Sequence, residues 1–199
     1  PDGAFELVKE HKIAVDKAEW RGVAVYLDQT GGEIHPVSLE LLGKARELAD
    51  KVGQPVIALL AGAALGKAAG EMLHYGIDKL WLYEHSRLDR FRIEPYAAVF
   101  EDFIRRCQPA VVLVGGTAIG RSLAPRVAAR FRTGLTADCT SLDIRQNTDL
   151  DQIRPAFGGN IMAHIRTPRH RPQFATVRYK VFSAPERLES AKGEIIRVD

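Results

Sequence analysis

Residues 111–140 read VVLVGGTAIGRSLAPRVAARFRTGLTADCT, and the fold turns on how this stretch is read. An apolar run, Val111 to Val114, ends at Gly115-Gly116. A helical pattern follows, carrying Arg121, Arg126 and Arg130, and a second turn at Thr133-Gly134 opens onto Asp138-Cys139-Thr140. Strand, glycine turn, helix and polar exit strand are the parts of a nucleotide-type α/β unit.

The residues upstream repeat this alternation. In RGVAVYLD (21–28), Val23, Val25 and Leu27 share one face, as in a buried strand, and Gly31-Gly32 then turns the chain. Ser38 is placed to cap a helix, along which Leu39, Leu42, Ala45, Leu48, Ala49 and Val52 recur at helical spacing until Gly53. Pro55 opens a continuously apolar strand, Val56 to Ala61. Gly62 to Tyr75 reads as an alanine- and glycine-rich helix, and Ile77 to Tyr83 as the third strand. After a polar loop, Pro95 suits the first turn of a helix that runs to about Cys107, with Ala98, Phe100, Phe103 and Ile104 inward. Strands alternating with helices imply right-handed crossovers and a mostly parallel sheet.

Downstream the pattern changes. Ser141 to Arg145, Asp151 to Ala156, Asn160 to Thr167 and Gln173 to Val181 look like strands joined by short turns without helices, so they are expected to be antiparallel. The predicted fold is a three-layer α/β domain over 20–184, Rossmann-like and adenine nucleotide hydrolase-like, finishing in antiparallel strands. Residues 1–19 read as a leader or linker in which Val8 to Val15 adds one edge strand at most, and 185–199 as an exit linker. The first residue is proline, and a fragment or processed form is expected.

Composition sets the outer limits. The 199 residues are 46% hydrophobic and 27% charged, ordinary values for a globular domain with a sizeable core. The net charge of +3 is too small to argue for nucleic acid or membrane, but no Asp or Glu falls between Gln152 and Pro185, so one end of the molecule is positive. Cys107 and Cys139 give neither a metal spacing nor a disulfide framework, which favours a reducing, cytoplasmic compartment. No apolar run approaches the roughly 20 residues that span a bilayer.

Several constellations invite a chemical reading. Gly115 to Ser122, GGTAIGRS, has phosphate-loop spacing, but Arg121 stands where that loop needs lysine, and a fork is no substitute for a point charge in a confined loop. A structural turn is the stronger reading, although a helix N-terminus there suits an anion. A dinucleotide fingerprint fails because Thr117 stands where glycine is required, and Gly62 to Gly66 lacks the spacing. Cys139 as a nucleophile has no base brought to it by sequence, so a buried thiol is expected. Asp138 is placed to receive a basic side chain such as Arg126. In RPAFGGN (154–160) the Gly-Gly-Asn turn calls for positive φ, either as a plain hairpin or as the lip of a cofactor or partner site with Arg154 and Phe157. TPRHRPQ (167–173) lacks the aromatic interleaving of a nucleic-acid site.

VSLELLGKARELADKVGQPVIALLAG (37–62), VVLVGGTAIGRSLAPRVAARFRTGLTADCTSLDI (111–144) and IRPAFGGNIMAHI (153–165) together resemble the N-terminal domain of the electron transfer flavoprotein α subunit. The resemblance implies a heterodimer with a β subunit of related fold, and electron traffic with acyl-CoA-type or other dehydrogenases. It implies FAD in the complete heterodimer, carried by a further α-subunit domain that this sequence lacks, and none bound tightly here. The domain itself is then a scaffold and subunit interface, and in electron-bifurcating members it also closes over a second flavin held by the β subunit. On this basis Arg126, Thr136, Asp138, Cys139, Arg154, Phe157, Gly158, Gly159 and Asn160 are expected to line the interdomain and intersubunit cleft. No catalytic residue, metal, nucleic acid or membrane insertion is expected. The alternative is an autonomous nucleotide-binding or hydrolysing domain.

Overall fold

The computed structural model describes residues 15–198. The strand expected over Val8 to Val15 lies almost wholly outside them. The chain forms β1 (Val23–Tyr26), β2 (Gln29–Thr30), β3 (Glu33–Ile34), α1 (Pro36–Val52), β4 (Val56–Gly62), α2 (Gly66–Met72), β5 (Lys79–Glu84), α3 (Ile93–Cys107), β6 (Val111–Gly115), α4 (Ala118–Arg130), β7 (Leu135–Cys139), β8 (Ser141–Ile144), β9 (Leu150–Ala156), β10 (Ile161–Ile165), β11 (Gln173–Val177) and β12 (Glu194–Val198). A seven-stranded sheet of order β12-β5-β4-β1-β6-β11-β7 is parallel throughout. Strands β8 to β10 form a separate antiparallel sheet, and β2 pairs with β3.

Period-two alternation explains the three layers. Val23, Val25 and Leu27, with Val56, Ala58 and Leu60 and with Val111 and Leu113, face one core; Ala24, Tyr26, Ile57, Leu59, Val112 and Val114 face the other. The first core is covered by α1, α2 and the small sheet through Leu41, Leu48, Met72, Leu142, Ile144 and Leu150; the second by α3 and α4 through Phe100, Phe103, Leu123 and Val127. Every residue of β4 and β6 is buried, as strands covered on both faces require. Each fully buried Leu or Phe contributes about 1.5–3 kcal/mol.

Four local readings change. The α1 N-cap is His35, whose Nδ1 accepts from Val37 N at 3.1 Å, while Ser38 is buried with its Oγ accepting from Asp28 N at 2.9 Å. Pro36 starts the helix because its missing N–H costs nothing there. In α3 Ala97 rather than Ala98 is buried, since 97, 100 and 104 fall on one helical stripe. Residues 173–177 are not antiparallel: β11 enters the main sheet between β6 and β7, parallel to both. The exit linker expected over 185–199 ends in strand β12, paired in parallel with β5, because Ile195, Ile196 and Val198 are β-formers that follow Gly193 at φ 102°. On its way from β11 to β12 the chain crosses α1 at Gly43, where a Cβ would lie 2.7 Å from Ser183 O.

Candidate functional site

From β1 the chain builds outward to β4 and β5, then returns to the other side of β1 at β6. The crevice between β1 and β6 is therefore the topological switch point, where open α/β sheets bind ligands. Here a cavity of about 380 Å³ remains, lined by Asp28, His35, Thr117 and Ile119. Thr117 caps α4 by accepting from Gly120 N at 3.0 Å, and its hydroxyl donates to the Asp28 carboxylate from the end of β1. An anion at this helix N-terminus is thus supplied by the protein itself. Burial pushes the Asp28 carboxyl up, and Thr117 and His35 oppose that shift.

The glycines of GGTAIG serve packing. A Cβ at Gly115 would lie 2.5 Å from Val37 Cγ1, and one at Gly120 would lie 1.9 Å from Gly115 O. Gly116 N–H is taken by Val177 O at 2.6 Å. A phosphate loop needs such N–H groups free for its ligand.

Beside this corner, at the ends of β7 and β11, stands Asp138 at φ 58°. Its N–H donates to Thr176 Oγ1 at 3.0 Å, and its carboxylate accepts from Arg178 Nη2 at 2.9 Å and Arg121 Nη2 at 3.2 Å. The Arg178 hydrogen bond, aided by the charges of Arg121 and Arg154, holds the Asp138 carboxyl below the usual carboxylate range. Arg126, the expected partner, is elsewhere: it pairs with Glu94 on α3, and Arg130 pairs with Glu94 and Glu101. Helix geometry is the reason, because residues 126 and 130 share a stripe while 121 points about 140° away. Arg178 carries no local signal in the sequence; only the insertion of β11 brings it to Asp138, 40 positions away.

Thr136 and Cys139 are buried within β7. The Cys139 thiol donates to Thr136 O at 3.5 Å, and burial pushes its pKa up to about 12. A thiol so placed is a core group. Iodoacetamide at neutral pH is expected to leave Cys139 unmodified in the folded chain and to alkylate it in denaturant, as mass spectrometry of the two samples would read.

Arg154 to Asn160 form the end of β9 and the turn into β10. The turn bends through Phe157, Gly158 and Gly159 at φ 48°, 70° and 94°, with Asn160 in the right-handed region at −78°, so positive φ begins one residue before the glycines. Around it Phe157 is 83% exposed, Ile161 54%, Met162 48% and Ile165 36%. Edge strand β10 thus shows apolar side chains on both faces and, among the described residues, pairs with β9 alone.

Of the nine expected cleft residues, Thr136, Asp138 and Cys139 share β7, Arg154 lies on β9, whose Ile153 O accepts from Thr140 N–H just past the end of β7, and Phe157 to Asn160 form the adjoining hairpin tip. Among the described residues no group of three His, Cys, Asp or Glu side chains could hold a metal ion, and no helix is long and apolar enough to cross a membrane.

Residues 23–199, which take in every strand of the sheet, match the electron transfer flavoprotein domain family. Over 199 residues, all of this chain and 48% of the relative, it is 57% identical to the lactate dehydrogenase (NAD(+),ferredoxin) subunit LctC of Acetobacterium woodii. It is 47% identical to the electron transfer flavoprotein subunit alpha of Clostridium acetobutylicum over 84% of this chain and 50% of that one. Against the subunit alpha of Megasphaera elsdenii the identity is 45%, over 92% and 54%. The chain spans about half the length of these curated relatives. By sequence match, it belongs to the electron transfer flavoprotein family, among the α subunits.

Proposed function

We propose that this chain is the scaffold and subunit-docking domain of an electron transfer flavoprotein α subunit, taking part in flavin-mediated electron transfer between dehydrogenases and an acceptor. In this reading it holds a β subunit, and the FAD of the complete heterodimer is bound mainly outside these residues. The observation that carries the reading is a contrast. At the switch-point crevice the α4 N-terminus already faces the carboxylate of Asp28 through Thr117, while the β9–β10 hairpin presents Phe157, Ile161, Met162 and Ile165 to solvent. An edge strand apolar on both faces is a liability unless a partner covers it. Kinship with a subunit of a dehydrogenase named for NAD(+) and ferredoxin supports a dehydrogenase as the electron partner. The Asp28 carboxylate at the α4 N-terminus, which would repel a phosphate, and the bonded Gly116 N–H speak against the autonomous nucleotide-hydrolysing reading.

Phe157→Asp tests the docking surface. Binding of the β subunit, measured by biolayer interferometry, is expected to weaken by at least tenfold, a loss of about 1.4 kcal/mol or more, with the melting temperature unchanged because Phe157 touches little of the core. Unchanged binding would move the interface off the hairpin.

A further inference from the structure

At the end of the sheet opposite Asp138, a cavity opens where α3 stops. Gln108 ends the helix in the left-handed region at φ 46°, its N–H donating to Ile104 O at 2.9 Å. Lys79 and Trp81 stand two apart on β5, and Ile57 is the Cα partner of Lys79 on β4, so the three side chains share the face of the sheet that α3 covers. The Arg21 N–H donates to Gln108 O at 2.8 Å, which brings the approach to β1 to the same place. Between them lies a cavity of about 360 Å³, walled by Ile57, Trp81 and Cys107 and bordered by three cations, Arg21, Lys79 and Arg106.

Among the described residues no carboxylate lines this cavity. Arg106 is held by Asp102 at 2.8 Å, but Arg21 and Lys79 are exposed and have no acid partner among the described residues. Glu194, the Cα partner of Lys79 on β12, makes no ion pair with it, and the neighbouring Asp78 is taken by Arg46 and the Val56 N–H. The end of α3 is the negative end of its dipole, about half a unit charge, which two uncompensated cations outweigh. Burial pushes the Cys107 thiol up to about 12, so it serves as neutral wall rather than as a nucleophile. Apolar walls with a few placed polar groups, in a space of about 300–1,000 Å³, are the makeup of small-molecule sites.

We infer that this cavity binds a small organic anion, its oxyanion head held by Arg21 and Lys79 and its apolar body laid against Ile57 and Trp81. The site uses no residue of the β9–β10 hairpin and does not depend on the docking reading. Because the cations stand at an exposed rim, binding is weak, exchangeable and sensitive to salt. A carboxylate and a phosphate ester offer the same oxygens to a guanidinium and an ammonium group, so the ligands tested must separate them.

The experiment is a titration of the whole chain at low salt with benzoate, phenyl phosphate, benzyl alcohol and inorganic phosphate. It is followed at the Trp81 indole N–H signal in proton–nitrogen NMR spectra, assigned through Trp20→Phe. Benzoate or phenyl phosphate is expected to shift that signal saturably, and the tighter of the two names the head group. Benzyl alcohol and inorganic phosphate each lack one half of the ligand and should bind at least about tenfold more weakly. Lys79→Ala and Arg21→Ala are each expected to weaken the tighter ligand by about tenfold, the scale of one charge-assisted contact, and Lys79→Arg to recover part of it. Lys67→Ala, on α2, should leave binding unchanged. Both positions are exposed, so the fold survives either change and the two variants check each other. Inorganic phosphate binding as tightly as the better organic anion would reduce the cavity to a plain basic patch. That result, equal binding of benzyl alcohol, no saturable shift with either anion, undiminished binding in both alanine variants, or an equal loss in Lys67→Ala would each overturn the site.

Discussion

Gly120→Ala is expected to cost the fold about 3 kcal/mol or more, although a glycine-to-alanine change inside a helix ordinarily stabilises by up to about 1 kcal/mol. The added Cβ would lie 1.9 Å from Gly115 O and 2.9 Å from Val114 Cγ1. Neither can retreat. Gly115 is paired with Val177 in the centre of the sheet, Val37 presses on it from the other side, and Gly116 N–H is fixed to Val177 O. Helix α4 must therefore lift off the sheet, opening the contact made by Leu123, Ala124 and Val127. Gly70→Ala is the control, because α2 leaves open space at that position, and it should be neutral or stabilising. Urea midpoints of the two variants would show opposite signs. Equal small effects would mean that the glycine loop is not packed as described.

The second large effect is expected at Asp149. Arg171, with a side chain 0% exposed, donates from Nη2 to Asp149 Oδ1 at 2.8 Å, and Lys17 Nζ reaches the same oxygen at 2.7 Å. Removing the carboxylate leaves a guanidinium buried and unpaired, so Asp149→Ala should lose about 3–5 kcal/mol. Lys17→Ala, at a third-exposed side chain, should lose no more than about 1 kcal/mol. Burial alone would push the Asp149 carboxyl up, but the Lys17 and Arg171 contacts outweigh it and hold the folded pKa below the usual range. An acid whose folded pKa is depressed stabilises the fold fully above its unfolded value of about 3.9, and that share is lost as pH falls through the folded value. The urea stability of the original chain should therefore fall across this acid window more steeply than that of Asp149→Asn. Parallel pH curves would sink the ion-pair account.

Much of this architecture is legible in the sequence because it is local. Alternation in β1, the unbroken apolar runs of β4 and β6 and the helical stripes of α1 and α3 each fix which face is buried. What escapes is set by distant chain. Short turns after residue 140 do imply antiparallel strands, and β8 to β10 obey, but nothing local says that 173–177 should leave them for the gap between β6 and β7. That one insertion decides the site, since it delivers Arg178 and Thr176 to Asp138. Ser38 has the right residue type for a cap, yet the one-turn offset set by Pro36 sends its hydroxyl to Asp28 instead. The GGTAIG spacing suggests phosphate chemistry; only the close approaches at Gly115 and Gly120 assign it to packing. The exposed hairpin is readable as RPAFGGN, but that both faces of β10 are bare requires the sheet order.

The central claim is that this domain docks a partner and holds no flavin tightly by itself. Gel filtration with excess FAD, with and without the β subunit, read at protein and flavin absorbance, tests it most directly. The chain alone should elute colourless and should shift to a larger species when the β subunit is added. A chain that elutes alone with stoichiometric FAD, or that does not shift with the β subunit, would contradict the account.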